Sequence, residues 1–255
     1  MKKEQTMSHT ASCTKCTTAL WNQYDSGIIP VIPDIKCKSP GEGDLLLGRN
    51  PVGIAADLAA AGAPVISVVT ETVHFGGSAE LLRQIAKEVR KPVLRKDFIT
   101  SREQLAESLE IGASGVLLIA SMLSLKKLRT LAEEALELGL EPLIETHDEE
   151  EIKAVCEWNM TFIGINNRNI AQWEMDGGNV HTTERLAGLI RTGALVLSES
   201  SMESPLDVLR ATAAGAHAVL VGTAILRADD PVEMYHRLSR ARDPGREPSF
   251  PVLGR

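Results

Sequence analysis

The chain has 255 residues, 44% of them hydrophobic but only 4% aromatic, so one large core can form and Ala, Leu, Ile and Val must fill it. Its formal net charge of −7 argues against general nucleic-acid binding, and an anionic ligand would need a local positive site. No apolar run approaches the roughly 18 residues of a membrane span, and "MKKEQTMSHTASC" lacks the apolar centre of a signal peptide, so no membrane partner and a cytoplasmic location are expected.

Residues 1–27 read as an N-terminal arm in which "ALWNQYD" can form a short covering helix. Cys13 and Cys16 have the CxxC spacing of zinc or redox sites, but no second pair follows. The expectation is a solvated arm with two free thiols and no metal. Four cysteines in all are too few for a disulfide framework in a chain this long.

Eight short runs rich in Val, Ile and Leu then recur, at 28–36, 63–70, 91–97, 114–120, 140–146, 160–166, 193–199 and 216–222. Helical-period segments separate them, as in "SAELLRQIAKEVR" and "SLKKLRTLAEEALELG". The spacing is that of one βα unit, and near-continuous apolar strands have both faces covered. Ser101 with Glu103 behind it, Ser124 and Asp148 stand where helix caps belong, and Gly62, Gly112, Gly139 and Gly193 where helices end. Eight units favour a (β/α)8 barrel over residues 28–241, ahead of an open doubly wound sheet, for which no GxGxxG gives support. Residues 242–255 read as an irregular tail.

Barrel sites lie at the C-terminal ends of the strands. Those ends carry Asp34, Lys36 and Ser39; Lys96; Glu145; Asn166 and Arg168; Glu199, Ser200 and Ser201; and Gly222 with Thr223. Side chains alternate along a strand, so Ile32, Asp34 and Lys36 share a face. So do Leu94, Lys96 and Phe98; Leu143 and Glu145; Phe162, Gly164, Asn166 and Arg168; and Leu195, Leu197 and Glu199. Two lysines, an arginine and three carboxylates would thus converge on one mouth, where partial burial perturbs pKa values and makes acids and bases. "LSESS" and "LVGTAI" sit where barrels hold phosphate.

The segments "IKCKSP", "PVLRKDFI", "LEPLIETHDEEEI", "FIGINNRNI", "LSESS" and "AVLVGTAILR" resemble the indole-3-glycerol phosphate synthase family of tryptophan biosynthesis, over roughly residues 28 to 240. The resemblance implies a lyase, monomeric or homodimeric, with no metal or organic cofactor. It closes the indole ring of 1-(o-carboxyphenylamino)-1-deoxyribulose 5-phosphate, an anionic small-molecule substrate, with loss of carbon dioxide and water. It makes Lys96 the general acid, Glu145 the general base and Lys36 a second acid at the phosphate end. Asn166 orients the substrate and Arg168 binds near the anthranilate carboxylate. Glu199 hydrogen-bonds within the charged ring, with Asp34 paired to Lys36 or Lys96. Phe75, Phe98, Leu117 and Ile170 wall the aromatic ring, while Ser200, Ser201, Gly222 and Thr223 cradle the phosphate with Ser39 nearby.

Three departures stand out. The family usually has Glu at Asp34, and Gly at Ser201, and a segment before the first strand longer by about a helix, part of whose work "ALWNQYD" would do. Asp34 and Ser201 keep open a paralogue acting on a related phosphorylated substrate with altered chemistry. A catalytically silent phospho-ligand binder is the other alternative.

Overall fold

A computed structural model describes residues 15–168 and 179–241. Eight parallel strands close into a barrel: β1 (Val31–Ile35), β4 (Ile66–Val69), β5 (Val93–Lys96), β6 (Gly115–Ile119), β7 (Glu141–Thr146), β8 (Phe162–Asn166), β9 (Leu195–Glu199) and β10 (Ala218–Val221). Each of the eight apolar runs supplies one strand. β1 closes the ring by pairing with both β4 and β10.

Helices pack outside the strands: α2 (Pro51–Ala60), α3 (Ala79–Glu88), α4 (Arg102–Glu110), α5 (Leu125–Glu137), α6 (Glu149–Cys156), α7 (His181–Leu186), α8 (Pro205–Ala213) and α10 (Pro231–Ser239). Ser124 and Asp148 cap α5 and α6. Ser101 caps α4 in a capping box whose third member is Gln104, not Glu103, because the box needs the side chain at the third helical position. Gly62, Gly112, Gly139 and Gly193 all have left-handed φ. A hairpin of β2 (Lys38–Ser39) and β3 (Gly43–Asp44) lies in the first loop. Its strands of two residues each are too short to leave a periodic signal.

The alternation divides the core in two. Ile32, Leu94, Leu117, Leu143, Phe162, Leu195 and Leu197 pack together inside the barrel. Val31, Ile35, Val68, Val93, Val116, Ile144, Ile163 and Val219 face outward to the helices. Residues two apart from the inner set therefore continue the inner face to the mouth.

The N-terminal helix α1 (Cys16–Asp25) forms, but at the opposite end. Leu20 joins the inner core, and Cys16 packs where a Gly115 side chain would begin, at the foot of β6. Trp21 lies 4.7 Å from His217, just before β10. Thr17 donates from its backbone N and its hydroxyl to Glu141, at 3.1 and 2.5 Å. The helix thus closes the barrel floor instead of covering the mouth. Cys16 is buried instead of solvated, which removes it from an exposed CxxC pair; Cys13 and the tail 242–255 lie outside the described residues. No helix among the described residues is long and apolar enough to cross a membrane.

Candidate active site

The strand-end residues meet in two adjoining cavities at the mouth. The first is lined by Asp34, Lys36, Lys96, Glu145 and Asn166 together with Phe75, Phe98, Leu117 and Ile119. The second is lined by Arg168, Ser200, Ser201, Gly222 and Thr223, and shares Asp34, Lys36 and Lys96 with the first. The two lysines thus stand where an aromatic pocket passes into a polar one.

Asp34 is buried, and its carboxylate accepts a hydrogen bond from Ser67 at 2.6 Å. Ser67 lies directly across the ladder from Asp34. No ion pair to Lys36 or Lys96 appears for it among the described residues; the short side chain docks on the neighbouring strand instead. The cost of burying this polar group is thereby offset by a short hydrogen bond from Ser67. Lys36 lies over the ring of Phe75, 6.0 Å from its centroid, within cation–π range.

Lys96 reaches across the barrel to Glu199, 3.1 Å away. Glu199 is fully buried beneath both cavities, and its second oxygen has no aligned hydrogen bond among the described residues. Burial pushes its carboxyl up to about 7, against the pull of Lys96 and with the repulsion of Glu145 and Asp34 added. Gly164 makes room for it, since a Cβ there would collide with the Glu199 carboxylate. Glu145 is equally buried, yet its carboxyl is held below the usual range. Burial pushes it up, but His147, the Lys96 charge and the Asn166 amide together outweigh that. Two buried carboxylates in one barrel are therefore driven in opposite directions, the pattern that separates a base from a protonated partner.

Asn166 is aimed by its own backbone turn: its side-chain oxygen accepts from the Arg168 N–H at 2.9 Å. Arg168 Nε in turn lies 3.3 Å from the Ser201 hydroxyl. Its guanidinium therefore lines the polar cavity with Ser200 and Ser201, and not the aromatic one.

Ser200 and Ser201 have φ of 65° and 58°, two consecutive left-handed residues that are not glycine. Such backbone costs roughly 1–2 kcal/mol per residue and persists only where its surroundings fix it. Asn167 does so from outside the barrel. Its amide donates to Ser198 Oγ, Glu199 O and Ser200 O, while its carbonyl accepts twice from Thr183. The turn at Gly222, which begins the five-residue helix α9 (Thr223–Arg227), packs against the first strand. A Cβ at Gly222 would stand 3.1 Å from Lys36 Cε and 3.2 Å from the Asp34 carbonyl, so a side chain there would displace the lysine.

Phe75 is placed by Glu71, which accepts from the N–H groups of Val73, His74 and Phe75 at 2.7–2.9 Å. Of the expected residues, Ser39 is buried but lines neither cavity, and Ile170 lies outside the described residues. Ser67, Asn167, Glu71 and His147 belong to the site without having been expected. Extending the alternation one step past Glu145 reaches His147; Ser67 requires the strand register, which no local pattern carries.

The profile of the family described as indole-3-glycerol phosphate synthase matches residues 2–238. A protein of that name from Pyrococcus furiosus is 44% identical over 212 residues, 83% of this chain and 92% of the relative. One from Halalkalibacterium halodurans is 42% identical over 209 residues, covering 82% and 80% respectively. Among solved structures, a mandelate oxidase variant superposes with a TM-score of 0.62 over 83% of this chain and 72% of its own, at 14% identity, which shows a shared fold alone.

Proposed function

The chain belongs to the indole-3-glycerol phosphate synthase family, and from that premise we propose that the two cavities carry out the family's decarboxylating ring closure with the residues named below. The observation that carries the reading is the junction: Lys36 and Lys96 stand on the wall shared by an aromatic cavity and a polar one. The substrate has the same division, an anthranilate ring at one end and a phosphate at the other.

In this reading Phe75, Phe98, Leu117 and Ile119 enclose the ring, and Asn166 orients it. Ser200, Ser201, Gly222 and Thr223 receive the phosphate through backbone amides and hydroxyls. Arg168 meets the phosphate end or the sugar beside it, because it lines the polar cavity. The ring carbon that carries the carboxylate attacks the ketone as Lys96 donates a proton to the ketone oxygen. The bond from that carbon to the carboxylate then breaks, releasing carbon dioxide and restoring the aromatic ring, and Lys36 donates a proton to the resulting hydroxyl, which leaves as water. Glu145, kept ionised, accepts the proton that the ring system loses. Glu199 partners Lys96 from below and never meets the substrate. The phosphorylated substrate does not cross membranes, which favours a cytoplasmic enzyme, acting as a monomer or homodimer. Purified protein is expected to convert the carboxyphenylamino deoxyribulose phosphate to indoleglycerol phosphate, followed by indole fluorescence. Tight binding of that substrate without product would instead favour the silent binder, and turnover of a related phosphorylated compound alone would favour the paralogue that Asp34 and Ser201 suggest.

A further inference from the structure

His147 follows Glu145 by two residues, in the turn that leads into α6. Its Nε2 lies 3.2 Å from Glu145 Oε1. Both atoms are shut off from solvent, and neither has an aligned hydrogen bond among the described residues. On its other side Nδ1 lies 3.4 Å from Glu151 Oε2, and the same oxygen accepts from the His147 backbone N at 2.7 Å. Glu151 is itself fixed in the first turn of α6, where its N–H donates to the capping Asp148 at 2.9 Å. The imidazole is therefore tethered to a helix end and held against one oxygen of the buried carboxylate.

We propose that His147 is the positioning residue of the base, fixing one oxygen of Glu145 so that the other is presented to the substrate's proton. The proposal rests on the reading of Glu145 as the base. Two flanking carboxylates overcome the effect of burial and push His147 up to about 10, so both ring nitrogens are donors at neutral pH. The groups facing Glu145 are Lys96 from β5, the Asn166 amide from β8, Glu199 from β9 and His147 itself; Glu199 also faces Asp34 of β1. Of these, Lys96 is held in turn by Glu199, and the imidazolium by Glu151, which the first turn of α6 fixes in place. Without the imidazolium Glu145 can rotate about its side-chain bonds, and a misplacement of about 1 Å at a reacting group can cost on the order of a hundredfold in rate.

The test is steady-state kinetics and pH profiles of the full chain with the carboxyphenylamino deoxyribulose phosphate, for the wild type, His147→Ala, His147→Gln and Glu145→Gln. In His147→Ala, kcat is expected to fall on the order of ten- to a hundredfold with KM little changed. The acid limb of the kcat/KM profile should move to higher pH, because loss of the cation raises the Glu145 pKa. His147→Gln, whose amide can still donate to Glu145 but carries no charge, should recover part of kcat and only part of the shift. A folded His147→Ala with wild-type kcat and an unmoved acid limb would overturn the proposal. Should the alanine variant lose its melting transition, an unmoved limb in folded His147→Gln overturns it equally. Retained turnover in Glu145→Gln would bring down the base assignment and His147 with it. An inactive Glu145→Gln beside unaltered His147 variants would bring down His147 alone.

Discussion

Glu141 and Glu145 are the same residue type on one face of one strand, four positions apart, with 4% and 2% of their surface exposed. At the floor, Glu141 takes two hydrogen bonds from Thr17, which spread over both carboxylate oxygens and anchor α1. At the mouth, Glu145 has an oxygen with no aligned hydrogen bond, beside a histidine and across from a lysine. One carboxylate is saturated and ties structure together. The other has one oxygen sealed against His147, and its residue lines the aromatic cavity. Burial and alternation identify both; position along the strand and what the facing element offers distinguish structure from chemistry.

The comparison breaks most visibly in activity. Glu145→Gln should lower kcat by roughly a thousandfold or more, within the usual range for a positioned general base, an effect far larger than its effect on the fold. Glu141→Gln should do the reverse. It replaces an acceptor with a donor facing Thr17, so stability should fall by about 1–3 kcal/mol, which in a chain this long lowers the melting temperature by about 2–4 °C per kcal/mol. Its turnover per folded molecule should stay near wild type. Denaturant unfolding and single-concentration rates check both.

Glu199 sharpens the contrast, since it is the third buried glutamate of the barrel and its carboxyl is raised to about 7. A raised carboxyl contributes stability that is fully present below the unfolded value of 4.5 and is lost as pH rises through about 7. Melting temperatures from pH 4.5 to 8 should therefore fall more steeply for the wild type than for Glu199→Gln, which has no such proton to lose. Parallel curves would show that Glu199 does not titrate in that window. The smallest effect is expected at the left-handed turn of Ser200 and Ser201. Ser201→Gly relieves a left-handed residue and should raise stability by about 0.5–1 kcal/mol, while the Arg168 contact it removes should change KM only a few-fold.

Much of this was legible in the sequence for identifiable reasons. Barrel strands are buried on both faces, so each of the eight appears as an uninterrupted apolar run. The rule that sites lie at C-terminal strand ends selects Glu145 over Glu141 without any coordinates. What escaped depends on neighbours distant in sequence. Ser67 meets Asp34 only through the β1–β4 register. Asn167 faces away from the site and acts through the strained serine turn it holds. The position of α1 follows from Glu141, a partner 124 residues from Thr17. Ser201 was visible as a departure, but its hydrogen bond to Arg168, and the cavity Arg168 lines, were not.

The most direct test is the kcat of Glu145→Gln divided by that of Glu141→Gln, measured as indoleglycerol phosphate formation at equal concentrations of folded protein. If the mouth glutamate is the base and the floor glutamate is structural, the ratio falls below about one thousandth. Equal rates would contradict that division and return both residues to a purely structural role.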